Sequence, residues 1–258
     1  MFDLSDKTVF ITGGAGLLGN VYADAILEYG GTVVIADCIL GAAKKTTEIL
    51  NKKHNTNKCH AVYVDVTNKD SIEDAINFFP NVNVLINNAA YNPSVGANKK
   101  LNGHFETMTL EQWRSEITIA LDGTFLCSQV FCNKFAKDGG GTIINISSDL
   151  GVIAPDQRIY SDDKKPITYS ASKFGIIGMT KYLATYFASQ NIRVNCLSPG
   201  GVYTDQPKDF VDRLSNLIPM GRMAQKNEYK GAIVFLCSDA SSYMNGSNLI
   251  IDGGRTVW

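Results

Sequence analysis

Two side chains that could exchange a proton with a substrate, Tyr169 and Lys173, lie four residues apart in the stretch Tyr-Ser-Ala-Ser-Lys. The surrounding pattern predicts a helix over about 168–189, and residues at positions i and i+4 share one helix face. A neighbouring ammonium stabilises a phenolate, so Lys173 is expected to lower the pKa of Tyr169 from its usual value of about 10. The pair suggests general acid–base chemistry, although this spacing also occurs by chance in many helices.

A glycine-rich turn near the N-terminus is placed to bind a dinucleotide. A β-rich run over 7–12 leads into Gly13, Gly16 and Gly19, and an amphipathic segment follows to residue 29. In such a strand–turn–helix unit, backbone N–H groups at the helix N-terminus bind a pyrophosphate. A second strand, over 32–36, ends at Asp37, whose carboxylate would accept hydrogen bonds from ribose hydroxyls and repel a 2′-phosphate. No basic residue follows before Lys44, so the sequence favours NAD over NADP; the alternative is that Asp37 is an ordinary turn residue.

Strand and helix patterns alternate through the rest of the chain, and the helical patterns lie at about 41–51, 68–79, 110–135 and 227–237. Apolar, β-branched runs predict seven strands, at 7–12, 32–36, 60–64, 82–86, 142–146, 192–196 and 248–251. The alternation predicts a single doubly wound α/β Rossmann domain over 1–258, whose mostly parallel seven-stranded sheet has helices on both faces. Asp65, Asn88, Ser148 and Pro199 follow strand ends, which a parallel sheet brings to one edge. We therefore expect the ligand site at that edge.

The composition limits the classes of partner. The chain has 258 residues, of which 45% are hydrophobic, and its 24 basic and 25 acidic residues give a net charge of -1. This balance indicates neither a nucleic-acid nor a membrane partner. There is no secretory signal pattern and no apolar run long enough for a bilayer. The six cysteines include no CxxC and the three histidines have no ligand spacing, so we expect a cytoplasmic protein with reduced thiols and no metal.

The chain resembles the short-chain dehydrogenase/reductase family over essentially its whole length. The most specific matches are Asn87-Asn88-Ala89-Ala90 (the family usually has Asn-Asn-Ala-Gly), Ser148, the Tyr169-x-x-x-Lys173 pair and Pro199-Gly200-Gly201-Val202-Tyr203-Thr204. The chain length and the C-terminal half match the shorter branch of the family, whose members are commonly homotetramers. The resemblance therefore implies a homo-oligomer, a tetramer or a dimer, that acts on a small molecule.

The resemblance also implies a role for each matched residue. Tyr169 would be the general acid in carbonyl reduction and the general base in alcohol oxidation, while Lys173 lowers its pKa and binds the nicotinamide ribose. Ser148 would hydrogen-bond the reacting oxygen. The other expected cofactor contacts lie in the glycine turn and at the strand ends: Gly13, Gly16, Leu18, Gly19, Asp37, Asp65, Val66, Asn88, Ala89, Ala90, Pro199, Gly200, Val202 and Thr204.

Two departures from the family pattern concern the cofactor and the proton. The glycine spacing is that of the longer branch, with Leu17 where the shorter branch usually has glycine. We expect cofactor binding to survive, because backbone donors hold the phosphates. Ala120 stands where many relatives carry an asparagine thought to position a proton-relay water. We expect activity to persist, either slower or with the water held by another group.

Two long loops, over about 92–108 and 155–166, are expected to cover the substrate. Ser148 and Tyr169 are 21 residues apart, further than is typical of the family, and the additional residues fall in the second loop. Arg158 in that loop could bind a carboxylate or phosphate in a bidentate manner, which would suit a polar or anionic substrate. The alternative is that Arg158 is a solvated surface charge.

The leading functional prediction is an NAD-dependent oxidoreductase that interconverts a secondary alcohol and a ketone on a polar, sugar-like metabolite. The sugar-like substrate rests on a looser similarity of residues 182–186 and 253–258 to bacterial oxidoreductases of surface-sugar and flagellin modification. One alternative is a 3-oxoacyl-thioester reductase, which Asp37 disfavours because such reductases usually take NADPH. Another is a non-catalytic dinucleotide sensor or scaffold, which Ala120 favours and the intact Ser148, Tyr169 and Lys173 disfavour.

Overall fold

The structure, a computed structural model, describes residues 1–91 and 103–258. Its strands are β1 (Thr8–Thr12), β2 (Thr32–Asp37), β3 (Cys59–Tyr63), β4 (Val84–Asn87), β5 (Gly141–Ile146), β6 (Ile192–Pro199) and β7 (Asn248–Ile251). Its α-helices are α1 (Leu17–Glu28), α2 (Leu40–His54), α3 (Lys69–Phe78), α4 (Leu110–Ile117), α5 (Gly123–Asp138), α6 (Ile167–Tyr186), α7 (Lys208–Ser215) and α8 (Lys230–Cys237). The strands form one sheet in the order β3-β2-β1-β4-β5-β6-β7. Every pairing is parallel, which confirms the predicted doubly wound Rossmann fold.

Alternate residues of the central strands enter two separate cores, one on each face of the sheet. In β1, Val9 and Ile11 pack with α1, α2 and α8, whereas Phe10 packs with α3 and α5. All three side chains are fully buried. Burial of such a side chain contributes about 1.5–3 kcal/mol, so the continuous apolar runs of the strands stabilise helices on both faces.

The helix expected over about 110–135 is interrupted. It consists of α4 and α5 joined by a π-helical turn at Thr118–Asp122. Within this turn the Ala120 carbonyl accepts a hydrogen bond from the Thr124 hydroxyl at 2.7 Å. Side-chain hydroxyls that bond a carbonyl one turn earlier loosen the regular helix pattern, and π-turns often occur beside functional sites. The short helix α7 was not among the predicted elements.

The strand order reverses between β1 and β4, and this reversal creates a crevice at the carboxyl edge of the sheet. The parallel register places Thr12 beside Ala36 and Asn87 beside Asn145. The turns after β1, β2, β4, β5 and β6 therefore open onto the same edge. This geometry brings the predicted site residues together, although they are far apart in sequence.

Two further expectations concern metals and membranes. Within residues 1–91 and 103–258, no cluster of histidine, cysteine, aspartate or glutamate has the geometry of a metal site. No helix in the same part of the chain is long and apolar enough to cross a bilayer. The six cysteines are free thiols, and all except Cys38 are buried.

Candidate active site

A cavity of about 770 Å³ lies at the carboxyl edge of the sheet. It contains both the glycine turn after β1 and the residues Tyr169 and Lys173 of α6. Apart from Gly19 and Arg158, the residues predicted to act in catalysis or to bind cofactor or substrate line this cavity: Gly13, Gly16, Leu18, Asp37, Asp65, Val66, Asn88, Ala89, Ala90, Ser148, Tyr169, Lys173, Pro199, Gly200, Val202 and Thr204.

The glycine turn is held tightly against β4. Gly13 has a φ of 58°, and a side chain on Gly19 would place its Cβ only 2.5 Å from the Gly13 carbonyl oxygen. The Asn88 side-chain amide donates to the Thr12 and Gly13 carbonyls at 3.1 and 3.0 Å. Gly16 precedes α1, and no side chain caps this helix. The backbone donors of its first turn therefore suit a phosphate group, and Gly19 supports the turn without lining the cavity.

The carboxylate of Asp37 is oriented by the backbone around it. Its two oxygens accept hydrogen bonds from the Ala15 and Ile39 N–H groups at 3.2 and 3.0 Å. Among the described residues that line the cavity, the three cations are Lys165, Lys173 and Arg255, which all lie around Tyr169 and Ser148. Among the described lining residues, the end of the cavity beside Asp37 therefore offers a carboxylate acceptor for ribose hydroxyls and no cation for a 2′-phosphate.

Tyr169 lies at the start of α6, opposite the end of β5. Burial raises the pKa of Tyr169 to about 12, a hydrogen bond with the Ser148 hydroxyl acts in the opposite direction, and the charge of Asp149 raises it further. Lys173 lies with its Nζ 5.7 Å from the centre of the Tyr169 ring and donates to the Ile146 carbonyl at 2.8 Å. Burial lowers the pKa of Lys173 to about 8. In this structure, therefore, burial outweighs the lowering of the Tyr169 pKa that the Tyr–Lys spacing predicts.

Ser148 is connected to a buried ion pair that the sequence did not reveal. Its hydroxyl donates to Asp149 Oδ1 at 2.7 Å and accepts a hydrogen bond from the Leu150 N–H at 3.1 Å. The second oxygen of Asp149 accepts a hydrogen bond from Arg255 Nη1 at 2.7 Å, and both side chains of the pair are almost completely buried. The C-terminal segment thus helps to orient Ser148 through Asp149.

Lys165 is a second residue that sequence reasoning missed. Its Nζ lies 3.8 Å from the centre of the Tyr169 ring, and the residue is buried in the cavity wall. Its backbone is fixed on both sides by the Gln157 side chain, at 2.9 and 3.2 Å. The only sequence signal was its spacing, because Lys165 precedes Tyr169 by the four residues that separate Tyr169 from Lys173.

The structure does not bring Arg158 into the cavity. The Arg158 side chain is 88% exposed, and its guanidinium binds Asp156 through Nε–Oδ1 and Nη2–Oδ2 contacts of 2.9 and 2.6 Å. The loop over 155–166 contributes Tyr160 and Lys165 to the cavity instead. The Tyr160 ring packs on Phe210 of α7 at 5.6 Å, so this loop covers part of the cavity as expected.

The other predicted loop lies partly outside the described residues, which exclude 92–102. Its described end contacts the second loop, since His104 Nε2 lies 3.0 Å from the Asp162 carbonyl oxygen.

Ala120, at the relay position, is buried and does not line the cavity, whereas its neighbour Ile119 does. Position 120 therefore presents no polar side chain that could hold a relay water.

The chain is similar over nearly its whole length to a protein family, to individual enzymes and to solved structures. A family model described as enoyl-(acyl carrier protein) reductase matches residues 14–256. An NAD-dependent glycerol dehydrogenase of Listeria innocua is 32% identical, over 99% of this chain and 96% of that protein. A D-threitol dehydrogenase of Mycolicibacterium smegmatis is also 32% identical, over 99% of this chain and 95% of that protein. A short-chain dehydrogenase of Leptospira borgpetersenii with bound NAD+ superposes with a TM-score of 0.85, at 33% identity, covering 99% of this chain and 94% of that one.

These matches extend over nearly the whole chain and agree with the all-parallel sheet and the arrangement of its strand ends. The protein therefore belongs to the short-chain dehydrogenase/reductase family of enzymes, which act on CH–OH groups.

Proposed function

We propose that the protein is an NAD-dependent oxidoreductase that interconverts a secondary alcohol and a ketone on a polar, sugar-like metabolite. The main support is that Ser148, Tyr169 and Lys173 line one end of the cavity whose other end holds the Asp37 carboxylate. The relatives named for glycerol and threitol support a small, polar alcohol as substrate.

The proposed roles follow from the contacts of each side chain. In oxidation, Tyr169 removes the hydroxyl proton of the substrate as general base. The Ser148 hydroxyl, which donates a hydrogen bond to Asp149 in this structure, would donate to the reacting oxygen instead. NAD+, held by the glycine turn and Asp37, would supply the hydride acceptor for the carbinol carbon, whose C–O bond would become a carbonyl. In reduction, Tyr169 returns its proton to the carbonyl oxygen. The Lys173 ammonium stabilises the phenolate that this transfer leaves, and Asp37 binds the adenosine ribose.

The preference for NAD can be tested at Asp37. We expect Asp37→Ser to lower the preference for NADH over NADPH by roughly 10–100-fold, because it removes charged hydrogen bonds to the ribose and the repulsion of a 2′-phosphate. Fluorescence titration with NADH and NADPH measures both affinities. Asp74→Ser, an exposed position on α3, is the control and leaves the ratio unchanged. Tighter binding of NADPH by the unaltered protein would refute the role of Asp37 and favour the 3-oxoacyl-thioester reductase.

We also propose a cytoplasmic homo-oligomer, a dimer or tetramer, as the family resemblance implies. Its support in the structure is a row of exposed aromatic side chains on α6, namely Phe174, Tyr182 and Tyr186, with Phe125 on α5. Burial of such side chains between copies is favourable. Light scattering is expected to give two or four times the chain mass of 28.1 kDa. A mass equal to that of one chain would contradict this proposal.

A further inference from the structure

Two polar side chains of the cavity wall, Tyr160 and Arg255, have hydrogen-bonding groups that the proposed reaction does not use. Tyr160 lies in the loop over 155–166, and Arg255 follows β7. We propose that Tyr160 and Arg255 bind neighbouring hydroxyl groups that the substrate carries beyond the reacting carbon. This inference rests on the proposed function and narrows its substrate class from polar alcohols to neutral polyols with a vicinal diol at that place.

The ion pair with Asp149 occupies only part of the Arg255 guanidinium. Nη1 donates to Asp149 Oδ2 at 2.7 Å, whereas Nε and Nη2 have no hydrogen-bond partner within residues 1–91 and 103–258. A guanidinium holds its five N–H donors in a rigid planar fork, and the Nε–H and Nη2–H groups share one edge of it. Two adjacent oxygens of a ligand fit such an edge. Because Arg255 is buried and lines the cavity, a ligand inside the cavity can reach it.

The Tyr160 hydroxyl adds a second polar group close to this edge. The Tyr160 ring packs on Phe210, and its hydroxyl has no hydrogen-bond partner in the described part of the chain. Burial raises the pKa of Tyr160, and the charge of the neighbouring Arg255 acts in the opposite direction. The phenol is therefore neutral at ordinary pH. A neutral phenol both donates and accepts hydrogen bonds, which matches the hydroxyl group of a polyol.

The backbone holds both side chains in place before any ligand binds. Arg213 of α7 donates to the loop on both sides of Tyr160, to the preceding carbonyl at 3.0 Å and to the following side-chain hydroxyl at 2.9 Å. Both oxygens of Asp252 accept hydrogen bonds from the backbone N–H groups before and after Arg255, at 2.9 and 2.7 Å. Preorganised groups lose little conformational entropy on binding, so these contacts can discriminate between ligands.

The position of Arg255 determines which part of a substrate it can bind. The Ser148 hydroxyl, which would bind the reacting oxygen, donates to one oxygen of Asp149, and Arg255 binds the other oxygen of the same carboxylate. A whole carboxylate group thus separates the guanidinium from the reacting oxygen. The group that Arg255 binds must therefore lie further along the substrate. A polyol oxidised at C2 carries such a group in the diol at C3 and C4, or at C4 and C5.

The charges around Arg255 favour a neutral ligand over an anion. Asp149 already balances the Arg255 charge, so an anion at the free edge would be attracted by the guanidinium and repelled by the carboxylate. Phe210 and Leu214 pack with Tyr160 and line the same cavity, and an unbalanced charge in such apolar surroundings is costly. Hydroxyl groups supply acceptor oxygens without adding a charge.

The inference is tested with pairs of polyols that differ only in the distal diol. D-Threitol is paired with butane-1,2-diol, and ribitol with pentane-1,2,3-triol. For each compound, kcat/KM is measured with NAD+, and binding to the protein–NADH complex is measured by calorimetry. We expect the full polyol to be preferred by roughly 10–100-fold in at least one pair. Threonate, in which a carboxylate replaces one terminal alcohol, should be a poorer substrate than threitol.

Two variants assign the preference to these side chains. Arg255→Lys keeps a cation beside Asp149 and removes the free edge, so it should lower kcat/KM for the preferred polyol by roughly 10–100-fold and leave its partner compound nearly unchanged. Tyr160→Phe keeps the ring on Phe210 and should lower the preference by roughly 3–10-fold. The control is Arg222→Lys, since Arg222 also pairs with a carboxylate but is exposed and outside the cavity lining; it leaves the preference unchanged.

The outcomes separate this inference from the proposed function. Oxidation of both members of each pair at equal kcat/KM would overturn the inference while the proposed function stands. An equal loss for both members in Arg255→Lys would limit Arg255 to holding Asp149 and overturn it, as would a preference for threonate over threitol. If no compound is oxidised, the proposed function fails and calorimetry decides: tighter binding of the full polyol that Arg255→Lys abolishes supports the inference, and equal or absent binding of both members overturns it.

Discussion

Tyr169→Phe is expected to lower kcat by roughly 10²–10⁴-fold in both directions, because it removes the proton donor and acceptor at the reacting oxygen. The affinity for NADH should change little, since the aromatic ring at position 169 remains and Lys173 keeps its hydrogen bond to the Ile146 carbonyl. Steady-state kinetics with an alcohol substrate and fluorescence titration with NADH separate the two effects.

The matched control for this variant is Tyr243→Phe. Tyr243 is exposed and lies outside the cavity lining, so the loss of its hydroxyl should leave kcat unchanged. Turnover of Tyr169→Phe within a few-fold of the unaltered protein would remove the acid–base assignment. A parallel loss of NADH affinity would instead indicate that the substitution disturbs the cavity as a whole.

Arg255→Met is expected to destabilise the protein by about 3–5 kcal/mol, because it leaves the buried Asp149 carboxylate without its cation. The pair is almost completely buried, and its Nη1–Oδ2 contact is 2.7 Å. Urea unfolding measures the change in free energy. The double variant Asp149→Asn/Arg255→Met removes both charges and should recover most of the lost stability.

The kcat of the double variant shows whether the ion pair only stabilises the fold or also positions Ser148. Because the Ser148 hydroxyl donates to Asp149, we expect the stable double variant to remain slower than the unaltered protein, with the deficit in kcat rather than in NADH affinity. Full recovery of both stability and kcat would limit Asp149 and Arg255 to a structural role. A loss of less than about 1 kcal/mol in Arg255→Met would show that Asp149 does not depend on its cation.

The central part of the site could be predicted because a parallel sheet brings strand ends together. Asp37, Asn88, Ser148 and Pro199 follow apolar strand patterns, and the position of each at the carboxyl edge follows from that alone. The helical spacing of Tyr169 and Lys173 likewise placed both at the cavity, although their spacing could not reveal how strongly burial raises the pKa of Tyr169.

The parts that could not be predicted depend on contacts without a local pattern. Asp149 and Arg255 are 106 residues apart in the chain, and no periodicity links them. Lys165 and Arg158 lie in one irregular loop, where sequence alone does not show which side chain turns inwards. In retrospect, Asp156 was a signal against Arg158, because a carboxylate two residues away offers the guanidinium a local partner.

The most direct test of the central claim is the transfer of a substrate-derived hydride to NAD+. Glycerol, threitol and threonate deuterated at their carbinol carbons are each incubated with the protein and NAD+, and the cofactor product is analysed by mass spectrometry. We expect NADH carrying one deuterium from at least one compound, and roughly 10²–10⁴-fold slower formation of this product by the Tyr169→Phe variant under the same conditions. If NAD+ binds but no deuterated NADH forms from any of them, the proposed oxidation of a polar alcohol at this cavity is contradicted.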